Sequence, residues 1–366
     1  MGMTTKIEWT DATWPIVQGC DYVSPGCRNC YAVNVVNRLS ANPNSKVSAP
    51  MGGLVAKNSA GRLHWTGKVA LRHDRLDWPL KWKQPRRIFV SSHGDLFHED
   101  VSDEFISQVF AIMSLSSQHT FQVLTKRPQR MLDYLREVQE DDKDMQRWVN
   151  GALEAGIQPS LALEAGQRDW PLPNVWLGVS AETQKYAEER IPLLLQTPAV
   201  IRFVSAEPLL GAMDLHEWLP DLTARGIGKI MGADVTTWPA VDWLIVGGES
   251  GPRARPMHPD WARSLRDQAG AAHVAFFFKQ WGEWAPVLAP HVKTICIGYD
   301  GRILDNTSCI THARQTIKDG RYVGHWHYGQ TDGPTRYLMA KVSKKLAGAT
   351  LDGREWREMP DGRLHA

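Results

Sequence analysis

The sequence lacks any apolar run long enough to cross a membrane, and its first residues, MGMTTKIEWTDATW, lack the apolar segment of a signal peptide. Its formal net charge is only +2, so it also lacks the large positive excess of proteins whose whole surface binds nucleic acid. No internal repeat and no low-complexity tract is present. These absences favour a cytoplasmic globular protein without a membrane partner, in which any contact with nucleic acid comes from a local patch.

Cysteine is scarce, and the five cysteines are an odd number. Without an export signal, they are expected to be thiols or metal ligands rather than a disulfide framework. Three of them, Cys20, Cys27 and Cys30, lie close together in the stretch GCDYVSPGCRNCYAVN. The other two, Cys296 and Cys309, are interpreted as ordinary buried thiols, with ligation of a second cluster as the alternative.

Short apolar runs alternate with amphipathic helical or loop segments along most of the chain. Near-continuous apolar strands between helices are typical of a parallel sheet buried on both faces. Polar residues follow each run, where barrels of this kind have their active sites. The sequence therefore predicts an α/β fold with a full or partial (β/α) barrel. The predicted strands are 13–18, 86–92, 120–125, 174–180, 200–206, 242–248 and 274–279.

The barrel is predicted to occupy residues 1–283. Two stretches interrupt its rhythm and are predicted to be insertions: a loop-rich one at about 39–85 and a second at about 139–173. Residues 284–366 are predicted to be a C-terminal extension that caps the barrel. Its last clear element, TRYLMAKVSKKLAG, is expected to be a helix that ends at Gly348.

The spacing C-x6-C-x2-C suits thiolate ligands, but most zinc sites need a fourth ligand, and Cys296 and Cys309 make a poor second half-site. The alternative is a [4Fe–4S] cluster that is held by three thiolates and has one iron open to a ligand from outside the protein. A zinc knuckle and three cysteines without a shared ligand remain open at this point.

Several ordered motifs resemble the phage Gp37/Gp68-type family, whose members are viewed as radical S-adenosylmethionine (SAM) proteins. They are IEWTDATWPIVQGCDYVSPGCRNCYA, GDLFHE, TKRP, VSAEPLLG, GGESGPRARPM and FFFKQWGEW. The cysteine spacing departs from the C-x3-C-x2-C of that superfamily, and Tyr31 follows the last cysteine rather than preceding it. The resemblance implies a barrel of the radical SAM type, a [4Fe–4S] cluster whose fourth iron binds SAM, and an electron donor that reduces the cluster. A phage-encoded member would act in the host cytoplasm.

Small and charged residues at or after the ends of the predicted strands are the candidates for the rest of the site. A flexible glycine with a carboxylate after the second barrel strand suits the SAM ammonium group. For Asp95 and Lys126, an ordinary role as charged residues at a helix start is the alternative interpretation. The catalytic candidates are Lys126, Glu207 and Lys279, the cofactor-binding candidates are Gly94, Asp95, Ser205 and Glu249, and the metal ligands are Cys20, Cys27 and Cys30.

The implied activity is hydrogen abstraction by a 5′-deoxyadenosyl radical, with a modified nucleotide or DNA as substrate. The specific hypothesis is an isomerase in phage DNA hypermodification, which converts an amino-acid-modified thymidine from a nitrogen-linked to a carbon-linked form. A non-catalytic iron–sulfur or zinc protein that binds nucleic acid is one alternative. A metal-dependent nuclease built on HGDLFHED is the other.

Overall fold

The computed structural model of the chain describes residues 5–140, 144–220, 239–286, 294–304 and 336–360. Its centre is a sheet of seven parallel strands, which lie side by side in the order in which they occur along the chain. The sheet is curled and open, so the predicted barrel is a partial one. The strands are β1 (Ala12–Trp14), β2 (Arg87–Val90), β3 (Thr120–Thr125), β4 (Val175–Ser180), β5 (Ile201–Ala206), β6 (Trp243–Gly247) and β7 (Ala275–Gln280).

Helices connect most of these strands. They are α1 (Tyr31–Ser40), α2 (Ser45–Ser48), α3 (Trp78–Lys81), α4 (Asp103–Leu115), α5 (Pro128–Glu140), α6 (Asp144–Glu154), α7 (Pro159–Ala165), α8 (Gln184–Gln196), α9 (Pro259–Ala271) and α10 (Lys344–Ala347). The local sequence explains two of the helix starts. The hydroxyl of Ser102 accepts a hydrogen bond from the amide of Phe105 at 3.3 Å and caps α4. Pro128 begins α5, where its missing N–H removes no helical hydrogen bond.

Alternate residues of the strands enter two separate apolar cores. One core lies between the sheet and the helices and contains Ile88, Val123 and Leu177 among many others. The second fills the concave side of the sheet and is mostly aromatic. Its buried residues are Trp9, Phe89, Trp176, Ile201, Phe203, Trp243, Ile245 and Phe277. This aromatic core occupies the interior of the half-barrel below the strand ends, so the polar side chains at those ends form the floor of an open mouth.

The stretches predicted as insertions have their own secondary structure. Residues 39–85 contain α2, α3 and an antiparallel hairpin, and residues 139–173 contain α6 and α7. The division of the chain at residue 283 stays a prediction. The strands outside the parallel sheet are Val17–Gly19, Val55–Lys57, Leu63–Trp65, Ala70–Leu71, His93–Gly94, Trp284–Pro286, Thr294–Gly298, Ile303–Leu304, Arg336–Lys341, Thr350–Leu351 and Arg354–Glu355.

The helix predicted over TRYLMAKVSKKLAG was wrong. Arg336–Lys341 is a strand that pairs with Trp284–Pro286 on one side and with Thr294–Gly298 on the other. Only the short α10 follows it. Pairing on both sides satisfies the backbone of this segment and overrides its helical periodicity. Further on, the amide of Phe278 donates to the carbonyl of Trp356 at 3.0 Å, so the C-terminal segment lies against β7. Among the described helices, none is long and apolar enough to span a membrane.

Candidate active site at the mouth of the barrel

The carboxyl ends of the seven strands meet at one end of the half-barrel, as expected for a parallel sheet. The cysteine loop reaches this mouth from the strand Val17–Gly19, which pairs with His93–Gly94. Gly94 permits this close approach, because a Cβ there would lie 2.7 Å from the carbonyl oxygen of Val17. In the structure Gly94 thus brings the cysteine loop against the end of β2. Its contact with SAM stays a prediction.

The three cysteines of the loop are free thiols of intermediate exposure. Cys20 follows the strand Val17–Gly19, Cys27 lies in the 3-10 helix Pro25–Asn29, and Cys30 directly precedes α1. Burial raises the pKa of the Cys20 thiol to about 12 and also raises the pKa of the Cys30 thiol. Thiols in such surroundings become thiolates when a metal or a fixed cation stabilises the negative charge.

The two residues after β3 bring positive charge to the sulfurs. The Nζ atom of Lys126 lies 3.8 Å from the Sγ atom of Cys27, and the Nη1 atom of Arg127 lies 3.8 Å from the Sγ atom of Cys20. Lys126 also donates a hydrogen bond to the Ser24 hydroxyl at 3.3 Å. The structure therefore places the Lys126 ammonium group against the cysteine loop, beside Cys27. Its predicted part in catalysis is not tested by this contact.

Asp95 fixes Arg127 in this position. The buried Asp95 carboxylate accepts hydrogen bonds from the Thr125 hydroxyl at 2.7 and 2.9 Å, from the Lys126 amide at 3.1 Å and from the Arg127 Nη1 group at 3.1 Å. Burial raises the pKa of the Asp95 carboxyl, and these hydrogen bonds oppose that rise. Asp95 thus supports the cysteine loop through Arg127, while its contact with the SAM ammonium group stays a prediction.

Glu182, which follows β4, belongs to the site but was missed in the sequence. Its buried carboxylate accepts a hydrogen bond from the Gly26 amide at 3.0 Å, and it lies 3.2 Å from the Nη1 atom of Arg190 and 3.7 Å from the Nζ atom of Lys126. Burial alone favours the protonated acid, but Lys126 and the hydrogen bonds hold the pKa of Glu182 below its usual value. Its position directly after an apolar strand was the signal that could have found it.

Glu249, which follows β6, holds the other end of the same 3-10 helix. Its Oε2 atom accepts hydrogen bonds from the Asn29 side-chain amide at 3.0 Å and from the Arg255 Nε group at 2.9 Å. Arg255 in turn donates to the carbonyl of Pro25 at 3.0 Å. The helix that carries Cys27 is thus tied to the ends of both β4 and β6. Cofactor binding by Glu249 stays a prediction.

A second polar group lies at the ends of β5 and β7. The Nζ atom of Lys279 lies 3.1 Å from a carboxylate oxygen of Glu207, and the Ser205 hydroxyl is 3.4 Å from the other oxygen. Tyr31, the first residue of α1, is anchored to the segment that follows β2. Its hydroxyl donates to the carbonyl of Ser92 at 2.9 Å.

The residues present fit a thiolate-bound cluster. Within the described part of the chain, no three His, Cys, Asp or Glu side chains are arranged around a single metal ion. A cluster makes a different demand, because its thiolates ligate separate irons. Three free thiols on one loop, with fixed cations beside two of them, meet that demand. Cys296 is buried and disulfide-bonded, so the expected free thiol there was wrong, and Cys309 lies outside the described residues.

Together these features define an open, seven-stranded parallel (β/α) half-barrel with a three-cysteine loop fixed across its mouth. The chain belongs to the family described as "Protein of unknown function (DUF5131)", whose match covers residues 4–360. No curated protein matches the sequence.

Solved structures with a similar course of the chain include spore photoproduct lyase complexed with dinucleoside spore photoproduct. The two sequences are 8% identical and the TM-score is 0.34. The match covers 88% of this chain and 77% of the chain of the lyase. A mutant of the same enzyme with bound AdoMet and dinucleoside spore photoproduct gives the same identity, coverage and TM-score. At so low a TM-score, the similarity supports no conclusion about this chain.

Proposed function

We propose that the protein is a radical SAM enzyme in which Cys20, Cys27 and Cys30 hold a [4Fe–4S] cluster. The observation that carries the proposal is the cysteine loop at the barrel mouth, with Lys126 and Arg127 each 3.8 Å from a sulfur. Three thiolates leave one iron without a protein ligand, and that position is the one proposed for SAM. If bound there, a cluster reduced by an electron donor would pass one electron to SAM, cleaving its sulfur–C5′ bond into methionine and a 5′-deoxyadenosyl radical that would abstract a hydrogen atom from the substrate.

The residues of the chain position this chemistry and shield it. Lys126 and Arg127 offset the negative charge of the thiolates, while Glu182 and Glu249 keep the Cys27 segment in place. The aromatic core fills the half-barrel below the mouth and prevents water from reaching the site from below. Radical chemistry benefits from such an enclosed site, because enclosure limits side reactions of a reactive intermediate.

Ser205, Glu207 and Lys279 are the residues proposed to contact the polar groups of SAM or substrate. Glu207 and Lys279 form an ion pair with both side chains mostly buried, and a ligand that carries both an ammonium and a carboxylate group matches the two charges. An amino acid attached to a thymine base is such a ligand. We therefore extend the proposal to isomerisation of an amino-acid-modified thymidine in phage DNA, from a nitrogen-linked to a carbon-linked form.

Anaerobic purification followed by iron analysis tests the cofactor. We expect a brown protein that produces 5′-deoxyadenosine from SAM under reduction, and a Cys27→Ala variant that loses both the iron and the turnover. A Ser160→Ala variant, at an exposed position on α7 away from the loop, is the control and should keep its iron. If the Cys27→Ala variant retains turnover, the ligand assignment is wrong.

The same assay separates the alternatives. Iron without SAM turnover would indicate a non-catalytic iron–sulfur protein, and zinc in place of iron would overturn the proposal. No contact among the described residues favours the metal-dependent nuclease, because the Asp95 carboxylate of HGDLFHED is already paired with Thr125 and Arg127.

A further inference from the structure

Residues 22–73 contain seven Lys and Arg residues but no Asp or Glu. The whole chain has 42 basic and 40 acidic residues, so the remainder of the chain has five more acidic than basic residues. The small overall net charge therefore hides a strongly basic segment. This segment comprises most of the cysteine loop, α1, α2 and the hairpin Val55–Lys57/Leu63–Trp65. We call it the basic unit.

Most of the cations of the basic unit are unpaired. Arg72 is buried and forms an ion pair with Asp74 at 2.7 Å. The other six side chains are exposed, and within the described ranges none of them forms an ion pair. They are Arg28, Arg38, Lys46, Lys57, Arg62 and Lys68. Unpaired surface cations that lack acidic neighbours in sequence attract a polyanion without first having to break internal ion pairs.

The basic unit is built on the cysteine loop. Ala32, Val33, Val36, Met51, Leu54 and Trp65 form its small buried core, and two of the proposed cluster ligands, Cys20 and Cys30, pack against that core. The amide of Gly67 also donates a hydrogen bond to the carbonyl of Cys20 at 3.3 Å. The exposed cations are therefore carried by the same unit that brings the cysteines to the barrel mouth.

The exposed apolar residues of the unit indicate the kind of polyanion. Tyr22 is 59% exposed and Tyr31 is 48% exposed, and they are the large apolar residues exposed in this unit. A membrane-binding surface adds long aliphatic or tryptophan side chains that enter the lipid. Exposed tyrosines on the same unit as exposed cations instead suit nucleic acid, because aromatic rings stack on bases while Lys and Arg contact phosphates.

We propose that the basic unit binds the phosphodiester backbone of DNA and holds the strand next to the barrel mouth. Polymeric DNA, rather than a free nucleotide, is then the substrate of the proposed radical chemistry. The choice of DNA over RNA and the statement about the substrate rest on the proposed function, whereas binding of a nucleic-acid backbone by the unit does not.

Binding is tested with the anaerobically purified full chain and fluorescein-labelled DNA of about 20 nucleotides, measured by anisotropy at KCl concentrations between about 50 and 200 mM. The test variant combines Arg38→Gln, Lys46→Gln, Lys57→Gln and Arg62→Gln. The control combines Lys6→Gln, Lys83→Gln, Arg136→Gln and Lys345→Gln, which removes the same charge from exposed positions outside the unit. We expect the test variant to bind DNA at least about ten-fold more weakly than the wild type. The slope of the logarithm of its binding constant against the logarithm of the KCl concentration should be smaller in magnitude by about two to four. The control should stay near the wild type in both quantities.

Three results would overturn the proposal: equal losses in both variants, tighter binding to RNA of the same sequence, or tighter binding to vesicles that contain phosphatidylserine. Iron content and 5′-deoxyadenosine formation without DNA are measured on the same samples. If iron and 5′-deoxyadenosine are absent but DNA binding depends on the unit, the proposed function is wrong and the DNA-binding surface is supported. If iron and 5′-deoxyadenosine are present but DNA binding does not depend on the unit, the surface is wrong and the radical SAM proposal is unaffected.

Discussion

Gly26 is the point at which the cysteine loop is tied to the central sheet. Its amide donates to the Glu182 carboxylate, and a Cβ on this residue would lie 2.7 Å from the Lys126 Nζ atom and 3.2 Å from a Glu182 oxygen. A side chain at this position would push the carboxylate and the ammonium group apart. One glycine therefore allows one carboxylate to contact both the loop backbone and the cation beside Cys27.

Glu182→Gln should destabilise the protein and loosen the cysteine loop. The substitution leaves Arg190 buried without its charged partner, and breaking a buried pair in this way costs about 3 kcal/mol. Denaturant unfolding should show this loss, and iron content after anaerobic purification should fall with it. Glu188→Gln, at an exposed position on α8, serves as the control and should change stability by less than about 0.5 kcal/mol. Unchanged unfolding and full iron content in Glu182→Gln would contradict the proposed role of Glu182 in holding the cysteine loop.

At this scale the sequence predicted the location of the site better than its contacts. Asp95, Lys126, Glu207 and Glu249 follow apolar strands and Lys279 lies near the end of one, so their common position at the carboxyl ends of the strands could be predicted, while their roles stay predictions. Their partners were not predicted. Gly26 and Glu182 are separated by 156 positions, and no local pattern indicates which distant side chains will meet.

At the scale of elements, the sheet was the most predictable part of the chain. Its strands are short apolar runs buried on both faces, so their composition differs sharply from that of the neighbouring loops. The prediction for Arg336–Lys341 was wrong because the apolar spacing of this segment also fits a helix. Its strand partners, Trp284–Pro286 and Thr294–Gly298, are distant in sequence.

Within the sheet, Gly178 of β4 should be intolerant of a side chain. A Cβ there would lie 2.6 Å from atoms of the Phe203 ring, which is fully buried and packs 5.6 Å from Trp243, so the ring has little room to move. We expect Gly178→Ala to lower the free energy of unfolding by about 1–3 kcal/mol. Gly270→Ala is the matched control near the end of α9, where a Cβ meets nothing within 4 Å.

The control should be neutral or stabilising by up to about 1 kcal/mol, because alanine favours a helix more than glycine does. The two substitutions add the same methyl group. The difference between their free energies of unfolding therefore measures how tightly Phe203 packs against β4. Equal unfolding curves for both variants would contradict the packing of Phe203 on Gly178.

At the scale of the whole molecule, stability is distributed unevenly. The sheet is held by two extensive cores, one on each face, whereas the basic unit has a small core of its own with Cys20 and Cys30 at its margin. A cluster ligated by Cys20, Cys27 and Cys30 would tie two points of this unit, Cys27 and Cys30, to the preceding Cys20, which restricts its unfolded conformations. The unit therefore depends on the proposed metal centre far more than the sheet does.

Removing iron from the purified protein should accordingly unfold or loosen one region and not the other. In hydrogen exchange measured by mass spectrometry, peptides from α1 and the hairpin Val55–Lys57/Leu63–Trp65 should exchange faster after iron is chelated. Peptides from β4, β5 and β6 should exchange at unchanged rates, because their cores contain none of the ligands. Reconstitution with iron and sulfide should restore slow exchange in the unit. If the sheet and the unit accelerate together, the metal supports the whole fold, and if neither changes, the loop is held without it by Glu182, Glu249 and Arg255.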